Sequence, residues 1–194
     1  MTPTICEIIW FAGIVGWTVI RYPYERKAKK IAVKKSLFGR RESSILGLAF
    51  LGLCVVPAIY VLTGFPHALD RAFIPTLGWL GLAILCLGLW LFYRSHADLG
   101  RNWSVSLEIR DHHALVTDGV YRIIRHPMYT SFFLVAIAQF LLLPNWFAGA
   151  AGFLTVAALY AFRVRQEERM MRDTFGGEYA SYAAHTKRLI PWLI

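Results

Sequence analysis

Cysteine is scarce in this chain, and what little there is rules out two readings. The three cysteines, Cys6, Cys54 and Cys86, all fall inside apolar stretches. They make neither a metal-ligand spacing nor a disulfide framework, and they read as small buried hydrophobes. There is no helical His-x-x-x-His pair and no Cys-x-x-Cys, and His112-His113 are adjacent, a poor spacing for two ligands on one helix face. No metal is therefore expected. No glycine-rich loop follows a predicted strand, which removes the dinucleotide-fold and phosphate-loop readings. No serine lies in a nucleophile-elbow context. No Lys or Arg precedes the first apolar run and no small-residue cleavage site follows it, so no signal peptide is expected. Acids are few: 12 Asp+Glu stand against 21 Lys+Arg, a net charge of +9. That excess could suit nucleic acid, but the charges lie in loops between apolar runs, so no nucleic-acid partner is expected.

Apolar residues are plentiful. They make up 57% of the 194 residues, with a mean hydropathy of +0.47, against roughly 45–50% in soluble domains. Aromatics at 15% suit belts at two membrane interfaces. A spanning helix needs about 20 apolar residues. Thr4–Ile20, Ser44–Gly64 and Ala72–Tyr93 each fit one span. Pro57 inside the second predicts a kink. The short link with Pro66 and Asp70 makes the second and third an antiparallel hairpin. Ser131–Phe162 is too long for one span and short for two, and Pro144-Asn145 divides it, predicting a tight hairpin of two short or tilted helices. The expected fold is an all-α, integral membrane protein with five transmembrane helices. Residues 1–95 would carry helices 1–3 and a basic loop. Residues 96–194 would carry a catalytic region with helical hairpin 4–5 and a polar tail.

Basic residues set the expected topology. Arg21–Glu42 holds nine Lys/Arg, Arg94–Tyr129 five and the C-terminal tail six, leaving only Arg71 elsewhere. Five spans put these three stretches on one face, which the positive-inside rule makes cytoplasmic, with the N-terminus outside. The loop 21–42 either binds anionic lipid headgroups or acts only as a topology determinant.

Two polar blocks flank the last hairpin: Gly119-Val120-Tyr121 with Arg125-His126-Pro127-Met128-Tyr129, and Arg163-Val164-Arg165-Gln166-Glu167-Glu168. Polar groups this close to a bilayer are costly unless they have a role. Pro127 suits a helix start, whose free N–H groups favour an anion; the plainer reading is a basic anchor. Arg163 and Glu167 share a helix face; the plainer reading is a surface ion pair worth only ~0.3–0.5 kcal/mol. Arg165 and Glu168 point elsewhere and are expected to be solvated.

The ordered set His113-Ala114-Leu115-Val116, Gly119-Val120-Tyr121, Arg125 to Tyr129, Arg163 through Glu168, Phe175-Gly176, Glu178-Tyr179, Tyr182 and Pro191 resembles the isoprenylcysteine carboxyl methyltransferases. The resemblance covers roughly His96 to Pro191 and looks most like a compact prokaryotic member. It implies S-adenosylmethionine as methyl donor and a prenylated cysteine carboxylate, or a similar lipid-like acceptor, as substrate. It would lay the methyl donor against His113, Ala114, Leu115, Val116, Tyr121, His126, Pro127, Met128, Tyr129 and Glu167, and give Arg163 the acceptor carboxylate. The chemistry fits these residues. Glu167 suits the methyl donor's ammonium, and aromatic faces suit a sulfonium. Arginine offers a fork matched to a carboxylate. An acceptor that is already anionic needs no general base, so alignment would supply the catalysis. The alternatives are methylation of a phospholipid amine or lipid thiol, a nicotinamide-dependent membrane reductase, and a non-enzymatic lipid-binding protein.

Overall fold

The computed structural model of the protein describes residues 1–30, 33–36, 39–103, 108–110 and 114–191. Six α-helices follow one another: α1 (Pro3–Ala28), α2 (Arg40–Phe50), α3 (Val56–Thr63), α4 (Pro75–Leu99), α5 (Pro127–Leu142) and α6 (Trp146–His185). A two-stranded antiparallel ribbon, β1 (Val33–Ser36) with β2 (Glu108–Arg110), adds a small element to an otherwise helical chain.

α2 and α3 form one rod, Arg40–Thr63, through a π-helical turn at Leu51–Val55. Pro57 explains that turn. A proline cannot donate along a helix, and in π geometry the Gly52 carbonyl would look to residue 57 for its donor. The buried Gln139 amide of α5 fills the gap, donating from Nε2 to the Gly52 carbonyl at 3.1 Å. The expected kink is thus a local rewinding, tied to the neighbouring helix.

Among the described residues, four rods are long and apolar enough to cross a membrane: α1, α2–α3, α4 and α6; α5, with 16 residues, is shorter. Their apolar windows are only 17–39% buried inside the bundle. Large side chains such as Leu62, Leu154, Val19 and Ile8 face outward. So much apolar surface does not suit water; it is the exterior of a multi-pass membrane protein. Cys86 lies on that exterior, not in the core as its apolar neighbours suggested, whereas Cys6 is buried. The core joins α1, α3, α4, α5 and α6 through Trp10, Tyr60, Leu85, Val135 and Val156.

The predicted break at Pro144-Asn145 is a hairpin. Asn145 caps α6 by accepting from the Ala148 N–H at 2.9 Å, while its Nδ2 donates to the Pro66 carbonyl and to Asp70, each at 2.8 Å. Arg71 donates to the Phe140 and Leu143 carbonyls at the end of α5. The lone base of this end is therefore a cap for orphan carbonyls.

α6 departs from the expected short segment. It runs 40 residues, well past Phe162, because a change from apolar to polar residues does not end a helix. It breaks only at Gly176, whose φ of 52° is open to glycine alone. The three basic stretches meet at one end of the bundle. The β1–β2 ribbon ties the first to the second, and a bridge between Ile124 and Lys187 ties the second to the third.

Candidate active site

At that end a cleft opens between the helix termini, with about 1130 Å³ of empty space including its mouth. The start of α5 forms one wall. His126 precedes the helix, Pro127 opens it, and the His126 N–H is taken by the Arg188 carbonyl at 2.9 Å. The following amides, Met128 and Tyr129, belong to the first turn, where helix geometry provides no intrahelical acceptor.

The second wall is α6. Arg163 and Glu167 share its cleft-facing side, as their spacing predicted, but they do not pair with each other. Glu167 accepts a hydrogen bond from the Tyr129 hydroxyl at 2.9 Å. Arg163 is buried, and its Nη2 lies 3.1 Å from Glu42 Oε1, a residue of the first turn of α2. Its Nε has no hydrogen-bond partner in this arrangement. The indole N–H of Trp103, another cleft residue, is also buried without one. Two unused buried donors are costly and suit a ligand rich in acceptors.

The third wall is the turn at Gly119–Arg122. Gly119 has a φ of 60°, and a Cβ there would lie 2.1 Å from Asp98 Oδ2. That oxygen accepts the Val120 N–H at 2.9 Å, while Arg94 holds Oδ1 at 2.9 Å. The turn sets Tyr121, whose hydroxyl reaches the Ser95 carbonyl at 3.3 Å. Burial, and then the nearby Glu167 carboxylate, push the Tyr121 phenol well above its ordinary pKa, so it stays neutral. Gly119→Ala combines left-handed strain of about 1–3 kcal/mol with a steric clash. It is expected to lower Tm by several degrees and to weaken ligand binding in the cleft; an unchanged Tm would contradict this packing.

Glu168, expected to be solvated, is instead 2% exposed and central. It pairs with Arg125 at 3.2 Å, Arg188 at 2.7 Å and Arg172 at 3.8 Å, and His126 Nε2 stands 3.5 Å away. Burial alone would raise its carboxyl pKa, but the close His126 ring and the bonds from Arg188 outweigh burial and hold it well below the usual range. Arg125 also donates to the Ala183 and Thr186 carbonyls, and the Tyr182 hydroxyl donates to the Tyr121 carbonyl at 2.7 Å. Glu168 is thus the clamp that folds the tail back onto the start of α5. Arg165 is exposed, as expected.

Residues 79–173, about half of the chain, match the sequence model of the isoprenylcysteine carboxyl methyltransferase (ICMT) family. Among curated relatives, protein-S-isoprenylcysteine O-methyltransferase B of Arabidopsis thaliana is 32% identical over 115 residues, 58% of each chain. The human protein-S-isoprenylcysteine O-methyltransferase is also 32% identical over 115 residues, covering 58% of this chain and 40% of its own. The solved structure of a eukaryotic intramembrane Ras methyltransferase ICMT superposes over 100% of this chain and 69% of its own, with a TM-score of 0.60 at 21% identity, a likeness of fold. The chain belongs to the isoprenylcysteine carboxyl methyltransferase family. It spans between two fifths and three fifths of the length of the two named enzymes.

Within this family member, Ala114, Leu115, Val116, Tyr121, His126, Pro127, Met128, Tyr129, Arg163 and Glu167 all line the one cleft. Ala114 is held there by its N–H, which donates to Asn102 Oδ1 at 3.2 Å. His113 lies outside the described residues. Several cleft residues were not anticipated, Leu46, Asn102 and Phe132 among them. Trp103 and Arg21 line it, the Arg21 guanidinium resting 5.3 Å from the Trp17 ring and 5.5 Å from the Trp103 ring. Glu42 reaches it through Arg163. Arg21 and Glu42 come from helices that no motif covers. The described residues contain no group of His, Cys, Asp or Glu able to hold a metal.

Proposed function

We propose that the protein methylates the α-carboxylate of a prenylated C-terminal cysteine, with S-adenosylmethionine as methyl donor, at the membrane–cytosol boundary. One observation carries this reading: a single cleft at the polar end of an apolar bundle joins a carboxylate held by Tyr129 beside the start of α5, Glu167, to a buried arginine with a spare donor, Arg163. The activity carried in its relatives' names supports it.

The residues present fit the methyl donor. Glu167 would take the ammonium, and the first-turn amides of α5 the carboxylate. Tyr121 and Tyr129 offer aromatic faces to the adenine or the cationic sulfur. When bound, S-adenosylmethionine supplies a methyl group on a positively charged sulfur. The chain's own work is then to hold and align. Arg163 would orient the acceptor carboxylate through its fork. No side chain need remove a proton, since the acceptor is already an anion. Leu46, Phe132 and Trp103 would exclude water from the reacting atoms. A prenyl chain would come from the lipid side and the methyl donor from the side of the basic loops, which the positive-inside rule makes cytoplasmic.

Titration of the purified protein with S-adenosylmethionine and, separately, with a nicotinamide cofactor tests the donor. Saturable binding of the first alone is expected; binding of the nicotinamide alone would overturn the reading. Glu167→Gln removes a charge-assisted bond worth about 1.5–3 kcal/mol. It should weaken methyl-donor affinity roughly tenfold to a hundredfold, and an unchanged affinity would remove Glu167 from this role.

A further inference from the structure

Glu42 lies outside the family match and outside every motif of the sequence, yet it holds the most buried guanidinium of the cleft. Its Oε1 is 3.1 Å from Arg163 Nη2, and both residues are buried, at 5% and 9% exposure. Nothing in the reaction requires a second acid on this side, since the acceptor brings its own negative charge. A hydrophobic residue would pack the first turn of α2 with no desolvation cost. The pair leaves Arg163 half engaged: Nη2 is taken, while Nε is buried without a partner.

We infer that Glu42 is a positioning residue that shares Arg163 with the acceptor carboxylate. The inference rests on the methyl transfer proposed above. Its logic is that of charge loss. As the carboxylate oxygen bonds to the methyl carbon and the carbon–sulfur bond breaks, the electron pair of that bond stays on sulfur, and both the negative charge of the acceptor and the positive charge of the sulfonium disappear. A guanidinium with its full charge free would hold the carboxylate best before reaction and lose that hold at the transition state, which raises the barrier. Glu42 neutralises part of that charge. It also fixes the guanidinium plane. The acceptor is then oriented without being quenched.

The signature is a pair of opposite shifts. In Glu42→Gln the affinity for a farnesylated cysteine analogue, titrated with no methyl donor present, should rise about threefold to tenfold, while kcat falls by a similar factor. Glu42→Asp keeps the charge but shortens the side chain; it should move both quantities the same way by less. Methyl-donor affinity, unchanged in both variants, reports an intact cleft, and Glu42→Asp carries the test if Glu42→Gln does not fold. Weaker acceptor binding in the variants, or no change in either quantity, would overturn the role and make Glu42 a structural partner only. A wild-type protein that binds the methyl donor but transfers no methyl would overturn the proposed function itself, and this role with it.

Discussion

Arg163→Ala is expected to lower kcat/KM by about two to three orders of magnitude, with the affinity for the methyl donor nearly unchanged. The magnitude follows from removing one member of a buried charge pair. The separation follows from the bonding: Glu167 is held by the Tyr129 hydroxyl and Arg163 by Glu42, and the two side chains, though on one side of α6, do not pair with each other. The same substitution removes the guanidinium that pairs with Glu42, and so also lowers stability. Activity should therefore be compared at temperatures where the variant is folded. Arg163→Lys provides a second comparison. It keeps the charge but loses the planar fork, and should also be strongly impaired. Equal loss of methyl-donor binding and turnover in folded Arg163→Ala would contradict the division of labour between Arg163 and Glu167.

Glu168→Gln should be the most destabilising single change at this end of the bundle, by roughly 3–5 kcal/mol. That is a large part of the about 5–15 kcal/mol that holds a typical domain together. Three arginines face this carboxylate, and one of them, Arg125, is itself largely buried and anchors the Ala183–Thr186 backbone. Without the charge, the tail should detach from the start of α5, taking with it the bond between Tyr182 and Tyr121. Faster proteolysis within residues 177–191 and a lower Tm should appear together. The pH dependence has a fixed sign. Because the folded carboxyl titrates well below its ordinary value of 4.5, its contribution is fully present above that value and is lost as pH falls below it. The Tm of the wild type should therefore fall as the pH drops from about 5 to about 3, and that of Glu168→Gln should fall less. Parallel slopes would contradict the clamp.

What could be read from the sequence was mostly what local rules govern. Apolar length gave the spans. Pro144-Asn145 marked the hairpin because an asparagine cap follows a proline break. Pro127 marked the start of α5, and a four-residue spacing put Arg163 and Glu167 on one side of α6. The failures share a cause. Periodicity tells which side of a helix a residue occupies, not what covers it. Glu168 looked solvated because its cover, Arg188, arrives from twenty residues downstream. Glu42 and Arg21 carried no local signal, and only the packing of α1 and α2 against the C-terminal half brings them to the cleft. The length of α6 was missed because hydropathy ends at the membrane while helix propensity continues to Gly176.

The most direct measurement is transfer of labelled methyl from S-adenosylmethionine to a farnesylated cysteine analogue by the purified protein in lipid. A base-labile methyl ester on the analogue's carboxylate, formed by the wild type and lost in Arg163→Lys, is the result expected. Label on an amine or thiol, or methyl-donor binding with no ester formed, would contradict the account.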